Sequence, residues 1–158
     1  MVRIEMENGG IIDIELYENE APITVANFKK LVSEGFYDGL IFHRVIAGFM
    51  IQGGDPTGTG CGGSEDKIKG EFIANGVNNK ISHERGVVSM ARSQNFNSAS
   101  SQFFIMHADG KFLDGQYAAF GKVISGMEAV DEIAEIKTDM RDRPVVDMRM
   151  KKVSLIEE

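Results

Sequence analysis

Apolar and polar residues alternate in short runs along most of the chain, which is the pattern of strands with one buried face. The first run, residues 2–6, is followed by Asn8-Gly9-Gly10 and by a second alternating run, residues 12–16. Asn-Gly between alternating apolar residues is a strong hairpin signal. The chain is therefore predicted to open with an antiparallel pair of strands.

Two stretches instead carry apolar residues at helical spacing. The first begins with Pro22, a residue that suits the first turn of a helix, and Asn19 or Glu20 lies just ahead of it. This helix is predicted to end before Gly35, where a C-terminal glycine belongs. The second helix is predicted after Gly126.

Six further strands are predicted between and after these helices. They lie near residues 41–46, 49–53, 86–91, 102–106, 117–123 and 145–156, and the last one carries a slip near Lys151-Lys152 that indicates a bulge. Hairpin-joined strands, two amphipathic helices and no internal repeat point to an antiparallel barrel, an arrangement that removes exposed strand edges.

Length, composition and charge then narrow the class of protein. The 158 residues predict one domain spanning 1–158, and 42% hydrophobic residues is ordinary for a soluble chain. The net charge of −7, without a local cluster of Lys or Arg, argues against nucleic-acid binding. No run approaches the ~18 apolar residues of a membrane span, and the N-terminus lacks the apolar core of a signal peptide. The single cysteine, Cys61, excludes an internal disulfide. We expect a cytoplasmic protein with no membrane contact.

The run from Phe42 to Asp55 carries the candidate chemistry. Strict alternation would place Phe42, Arg44 and Ile46 on one face of a strand, and a guanidinium beside apolar side chains must be paired or line a cleft. A set of large apolar residues with a few polar ones accompanies Arg44, namely Phe49, Met50, Gln52, Gln102, Phe104, Phe112 and Leu113. The last two lie in a turn between glycines, where a large exposed pair usually marks a contact surface.

Other catalytic patterns have little support. Gly58–Gly63 matches G-x-G-x-x-G, but no amphipathic helix and no βαβ repeat follow, so we expect these glycines to fold a long loop tightly over the surface. Cys61 has no neighbouring base. His43, His83 and His107 lack the spacing of metal ligands and are expected to be satisfied histidines at the surface or rim. We expect no cofactor and no metal.

The chain resembles the cyclophilin family of peptidyl-prolyl isomerases over nearly its whole length. The resemblance is carried by FHRVIAGFMIQGGD, GVVSMA, SQFFI, FLDGQY and FGKV, at residues 42–55, 86–91, 101–105, 112–117 and 120–123. It implies a mainly β fold, a closed eight-stranded antiparallel β-barrel capped by two α-helices, with an outer groove for extended proline-containing peptides. It also implies catalysis of rotation about X-Pro bonds, in assistance of protein folding. We expect a monomer that acts on such peptides and on unfolded chains.

The resemblance further implies roles for individual residues. Arg44 matches the catalytic arginine, and Gln52 and Gln102 match polar groups that hold this arginine and the peptide backbone. Ala91 and Arg92 match backbone contacts to the residue before proline. The pocket for the proline ring is matched by Phe49, Met50, Phe104 and Leu113.

Several positions depart from the common family pattern. Phe112 stands where many eukaryotic members have tryptophan, Tyr117 where they have histidine, and Arg92 where asparagine is frequent. Ala47 replaces a frequent proline, and the loop Ser93–Ser101 is one residue longer. These features resemble bacterial-type members. Because cyclosporin uses the ring nitrogen of the tryptophan, weak cyclosporin binding is expected.

Two other functions remain open from the sequence. The same pocket and groove would serve a non-catalytic module that binds proline-containing peptides, although Arg44 together with Gln52 and Gln102 favours an enzyme. A barrel that binds a small apolar ligand in its lumen is disfavoured, because Ile, Val, Met and Phe at the alternating positions would fill the interior.

Overall fold

The computed structural model describes residues 1–157, and these form one eight-stranded antiparallel sheet and two α-helices. The elements in chain order are β1 (Val2–Met6), β2 (Ile11–Leu16), α1 (Pro22–Ser33), β3 (Phe42–Ile46), β4 (Met50–Gly53), β5 (Val87–Met90), β6 (Phe103–Met106), β7 (Ala119–Ser125), α2 (Met127–Ala134) and β8 (Met150–Leu155). Two 3-10 helices, Ile73–Asn75 and Lys111–Leu113, lie in the connections. No helix in residues 1–157 is long and apolar enough to cross a bilayer.

The sheet curls into a barrel with the strand order β3-β4-β6-β5-β7-β2-β1-β8. The mainly β, eight-stranded antiparallel fold with two helices is thus confirmed. The two end strands do not form a regular ladder with each other. They meet through an isolated bridge between Ile41 and Arg149, next to which the Phe42 N–H donates to the Met148 carbonyl at 3.0 Å. The prediction of a closed barrel was therefore overstated, because β3 and β8 are joined only by this irregular contact.

The predicted opening hairpin and both helices are confirmed. β1 pairs with β2, with Val2 opposite Ile14. Gly126 precedes α2 with φ +96°, and a Cβ at this position would lie 2.0 Å from the Ile11 carbonyl oxygen. Only glycine therefore fits the entry to this helix without a backbone shift.

The N-terminus of α1 is capped from a distant part of the chain. Pro22 occupies the first turn as predicted, but neither Asn19 nor Glu20 caps the helix. Instead the Thr24 N–H and hydroxyl both donate to Oε1 of Glu71, at 2.6 and 2.7 Å. The buried Glu71 carboxylate thus satisfies a free helix donor and ties the long loop before β5 to the barrel end.

A β-bulge at the start of β3 changes the face on which Arg44 lies. The register with β4 shifts between Phe42 and Arg44, which leaves His43 as the extra residue. Phe42 and Val45 consequently both point into the barrel core, whereas Arg44 is exposed on the outside. The expectation that Phe42 and Arg44 share a face was wrong, because one inserted residue reverses the alternation of the strand.

The bulge predicted in the last strand is present. Met6 pairs with Met150 and Glu5 with Lys152, so Lys151 is the extra residue. The strand itself is shorter than predicted, because it begins only at Met150. The preceding residues 145–149 include exposed valines and lie outside the ladder.

Alternation along β6 separates two apolar clusters. Phe103 and Ile105 point inward and belong to the cluster that fills the barrel, while Phe104 and Met106 point outward. The packed interior agrees with the sequence-based argument against a ligand in the lumen. The outer cluster is the foundation of the candidate site, and its members are Met50, Val87, Phe104, Met106, Leu113 and Ala119.

Candidate active site

The outward-facing side chains of β4 and β6, together with Leu113 from the turn before β7, form the floor of a small hollow on the outside of the barrel, which we call the apolar hollow. Its volume is about 140 Å³. The floor residues Met50, Phe104 and Leu113 are only 2%, 5% and 8% exposed. The lining consists entirely of residues singled out from the sequence, namely Arg44, Phe49, Met50, Gln52, Ala91, Arg92, Phe104, Leu113 and Tyr117.

Arg44 lies at the edge of the apolar hollow with its side chain exposed. It forms neither a hydrogen bond nor an ion pair with any side chain or carbonyl in residues 1–157. The guanidinium therefore keeps its five N–H donors for a ligand, in the fixed fork geometry of this side chain.

The expected hydrogen bond from Gln52 to Arg44 is not formed. Although Gln52 is the β4 partner of Arg44 in the ladder, its Nε2 donates to Oε1 of Gln102 at 2.9 Å. Gln102 in turn donates from Nε2 to the carbonyl oxygens of Gly60 and Gly62, at 3.0 and 2.8 Å. The two glutamines thus connect the rim of the apolar hollow to the glycine-rich loop.

The glycine-rich loop, residues 54–63, is wound around the carboxylate of Asp55. This carboxylate accepts hydrogen bonds from the Thr57 N–H and hydroxyl at 2.8 Å each, from the Gly60 N–H at 2.7 Å and from the Gly62 N–H at 3.1 Å. Burial alone would raise the pKa of Asp55, but these hydrogen bonds together lower it to about 2. The expected tight folding of this loop is confirmed, and its glycines face a carboxylate of the same chain.

The turn that carries Phe112 and Leu113 is held by a second carboxylate, Asp114. It accepts hydrogen bonds from the Ser82 hydroxyl at 2.7 Å, from the His83 N–H at 2.6 Å and from Nδ1 of His83 at 2.9 Å. Burial would raise the pKa of Asp114, but these bonds outweigh it and lower the pKa.

His83 connects this turn to the floor of the apolar hollow. Its ring lies 6.1 Å from that of Phe104 and nearly parallel to it, and its Nε2 is 2.9 Å from the Ser89 hydroxyl. The expectation of a surface or rim position was wrong for His83, which is fully buried, and for His43, which is buried with its Nδ1 unpartnered within residues 1–157. Burial lowers the pKa of His83, opposed by the nearby Asp114.

The rim of the apolar hollow is aromatic. Phe112 is 73% exposed and packs its ring against Phe49, with 5.6 Å between centroids. Tyr117 stands edge-on to Phe104 at 5.9 Å. The exposed position expected for Phe112 is therefore confirmed, whereas its turn partner Leu113 is buried in the floor.

The side chain of Arg92 turns into an aromatic cage. Its guanidinium carbon lies 4.5 Å from the centroid of Tyr117, 5.0 Å from that of Phe72 and 4.9 Å from that of Phe96. It also donates to the carbonyl oxygen of Gln116 from Nη2 at 2.7 Å and from Nε at 3.1 Å. Arg92 thus joins the start of the loop after β5 to the rim residue Tyr117, a structural role that the sequence did not reveal.

Comparison with known proteins identifies the class to which this barrel belongs. A family model described as cyclophilin type peptidyl-prolyl cis-trans isomerase/CLD matches residues 1–155. A crystal structure of a cyclophilin type peptidyl-prolyl cis-trans isomerase from Cryptosporidium parvum, in the presence of the dipeptide Ala-Pro, superposes with a TM-score of 0.90 at 34% identity and covers 99% of both chains.

Curated relatives agree with this class. A peptidyl-prolyl cis-trans isomerase of Schizosaccharomyces pombe is 44% identical over 95% of this chain and 96% of its own length. One from Acinetobacter baylyi is 48% identical over 85% of this chain and 73% of its own length. This chain belongs to the cyclophilin-type peptidyl-prolyl cis-trans isomerase family.

Family membership confirms the enzyme predicted from the sequence, one that catalyses rotation about X-Pro peptide bonds in proline-containing peptides. The non-catalytic binding module is not favoured, because the relatives are named as isomerases. Relatives of similar identity come from a fungus and a bacterium alike, so identity alone does not assign the chain to bacterial-type members.

Proposed function

We propose that Arg44 is the catalytic residue of this isomerase and that the apolar hollow holds the prolyl ring of the substrate. The observation that carries this proposal is an unpartnered guanidinium at the edge of a hollow whose floor is buried and apolar. Isomerisation of an X-Pro bond requires no nucleophile and no proton transfer, since no bond between heavy atoms is made or broken.

The barrier to be lowered is amide resonance. Rotation about an X-Pro bond takes tens to hundreds of seconds, which corresponds to a barrier of about 20 kcal/mol. Turnover on a millisecond scale corresponds to a barrier of about 13 kcal/mol, so the site must supply roughly 7 kcal/mol.

The guanidinium supplies part of this energy by favouring the twisted imide. When the bond is twisted, the prolyl nitrogen regains its lone pair and becomes a better hydrogen-bond acceptor than in either planar form. A donor aimed at that nitrogen, or at the rotating carbonyl, therefore binds the transition state more strongly than the ground states. One preorganised donor of this kind is worth about 3–4 kcal/mol.

The apolar hollow supplies the remaining conditions. Met50, Phe104 and Leu113 would hold the prolyl ring still while the residue before it turns, and a ring bound on this apolar floor would displace water from the side of Arg44 that faces the hollow. Gln52 and Gln102 would present the peptide-facing polar edge, and Ala91 and Arg92 would contact the residue before proline through their backbone.

We further propose that the substrates are proline-containing segments of unfolded chains and that cyclosporin binds weakly. Phe112 occupies the rim position that the family resemblance assigns to tryptophan, and its 73% exposed ring has no N–H to donate.

The catalytic proposal is tested by replacing Arg44 with Ala and measuring cis–trans exchange in an Ala-Pro tetrapeptide. We expect kcat/KM to fall by about 10²–10³-fold, as on removal of a transition-state donor. The melting temperature should stay unchanged, because Arg44 is exposed and unpaired within residues 1–157. Arg141→Ala, which removes another exposed arginine, is the matched control and should keep full activity. Activity of Arg44→Ala within about twofold of the unmodified enzyme would reject the proposal.

A further inference from the structure

The turn between β3 and β4, residues 47–49, carries one wall of the apolar hollow. Its last residue, Phe49, lines the hollow and packs against Phe112 on the rim, with 5.6 Å between the ring centroids. The two residues before Phe49 are exposed, and Gly48 has φ +79°. The position of the Phe49 ring therefore depends on the contacts that hold this short exposed turn in place.

His107, the first residue after β6, holds the turn at two points. Its ring Nδ1 accepts a hydrogen bond from the Gly48 N–H at 2.8 Å, and its backbone N–H donates to the Phe49 carbonyl oxygen at 2.9 Å. Within residues 1–157 no other side chain forms a hydrogen bond with the backbone of the turn. The imidazole is 14% exposed, so it lies under the turn and largely away from solvent.

The partner of each ring nitrogen assigns the ring proton. The Gly48 N–H can only donate, so Nδ1 of His107 must be unprotonated in order to accept. Nε2 lies 3.1 Å from Oδ1 of Asp131 on α2 and therefore carries the proton. An imidazolium has an N–H at both positions, so only the neutral ring can hold Gly48.

The charged groups around the ring fix its orientation. Arg85 donates to both carboxylate oxygens of Asp131 at 2.7 Å each and to the His107 carbonyl oxygen at 2.8 Å, and its own N–H is bound by Asp109 at 2.8 Å. The hydrogen bonds from Arg85 lower the pKa of Asp131, so this carboxylate stays ionised. The turn itself carries no titratable side chain. Protonation of His107 would therefore keep the contact with Asp131 and lose the one with Gly48.

We propose that His107 is a positioning residue whose neutral ring holds the Gly48 N–H and thereby sets Phe49 as a wall of the apolar hollow. This inference rests on the proposed function, in which the hollow holds the prolyl ring of the substrate. When His107 is protonated, the turn loses its only side-chain contact to the backbone within residues 1–157. Peptide binding must then order the turn, which weakens the affinity.

The effect is expected in KM rather than in kcat. Phe49 would contact the prolyl ring, which does not change between the ground state and the transition state, so its position affects both states equally. Loss of one neutral hydrogen bond predicts a rise in KM of about 2- to 10-fold. For a peptide without titratable side chains, KM should rise by this factor from about pH 8 to about pH 5, the range in which imidazoles titrate.

The test uses two variants that each keep one half of the ring. The side-chain oxygen of His107→Asn takes the place of Nδ1 and can accept from Gly48 at any pH, whereas the amide of His107→Gln takes the place of Nε2 and can reach only Asp131. At about pH 8 we expect KM to rise about 2- to 10-fold in His107→Gln and less in His107→Asn, with kcat within about twofold in both. In His107→Asn, which still contains His43 and His83, the rise of KM toward low pH should be lost.

A direct measurement on the unmodified enzyme does not depend on these variants being equally stable. The 15N chemical shifts of the three histidine rings at about pH 8 report their tautomers, and His107→Asn assigns the signals of His107. We expect its Nε2 to be protonated and its Nδ1 to be unprotonated. A ring protonated on Nδ1 would overturn the proposal, as would equal rises of KM in the two variants or a KM that does not change between about pH 8 and pH 5.

Phe49→Ala, measured beside these variants, separates this proposal from the proposed function. A KM that is raised in Phe49→Ala but unchanged in His107→Gln would reject the role of His107 and keep the apolar hollow as the binding site. An unchanged KM in both variants would reject the apolar hollow as the site of the prolyl ring, and the role of His107 with it.

Discussion

Replacing Asp55 with Asn tests whether one buried carboxylate organises the glycine-rich loop. Asp55 is 1% exposed and accepts four hydrogen bonds from its own loop, two at each carboxylate oxygen. Asparagine has nearly the same shape, but one of its terminal atoms is an NH₂ group that cannot accept. Either the Thr57 donors or the Gly60 and Gly62 N–H groups must then lose their partner.

The size of the effect follows from the pKa of Asp55. Burial would raise this pKa, yet the hydrogen bonds lower it to about 2 from the ordinary 3.8. A difference of nearly two pKa units corresponds to about 2.4 kcal/mol of stabilisation at pH 7. Because the pKa is lower in the folded protein, this stabilisation is complete above about pH 5 and is lost as the pH falls toward 2.

The measurement is urea unfolding of the unmodified protein and of Asp55→Asn at pH 7 and pH 3. We expect the variant to be less stable by about 2–3 kcal/mol at pH 7, and the difference to be about half as large at pH 3. Asp66→Asn is the control, since the Asp66 side chain is 75% exposed and its surface ion pair should contribute less than about 1 kcal/mol. A loss below about 0.5 kcal/mol at pH 7, or one that does not change with pH, would refute this explanation of the loop.

Two further substitutions probe the rim of the apolar hollow. Arg92→Lys should lower the free energy of unfolding by about 1–2 kcal/mol and raise KM more than it lowers kcat, because an ammonium cannot bond the Gln116 carbonyl and cover three rings at once. Urea unfolding and steady-state kinetics measure these effects. An unchanged free energy of unfolding together with an unchanged KM would contradict the stabilising role of the aromatic cage. Phe112→Trp should tighten inhibition by cyclosporin, as measured by the inhibition constant, since the indole adds an N–H donor at an exposed rim position. An unchanged inhibition constant would show that this position does not contact the inhibitor.

The local periodicity of the sequence determined most of the secondary structure. Alternation over residues 2–16 with Asn8-Gly9 between the strands predicted the opening hairpin, and the helical spacing after Pro22 and Gly126 predicted both helices. These signals are local, because a strand or helix needs only a side-chain period and suitable end residues. In β6 the period of two places Phe103 and Ile105 in the inner cluster and Phe104 and Met106 in the outer one.

The family resemblance singled out the residues of the apolar hollow, and the barrel brings them together from β3, β4, the segment after β5, β6 and the turn before β7. Their individual roles stay predictions until the substitutions above are measured. The sequence did not indicate the aromatic cage of Arg92, because its rings come from residues 72, 96 and 117, which no local pattern connects.

Only the tertiary structure decided which polar groups meet. The contacts of Thr24 with Glu71, of His83 with Asp114 and of Gln52 with Gln102 join residues 31 to 50 positions apart. The bulge at His43, which turns Arg44 outward, depends on the register between two strands. Side-chain hydrogen bonds and strand register are set by long-range packing, and no local periodicity of the sequence predicts them. The chain therefore encodes its strands and helices locally, while pairing between distant segments builds the barrel and fixes the position of Arg44 beside the apolar hollow.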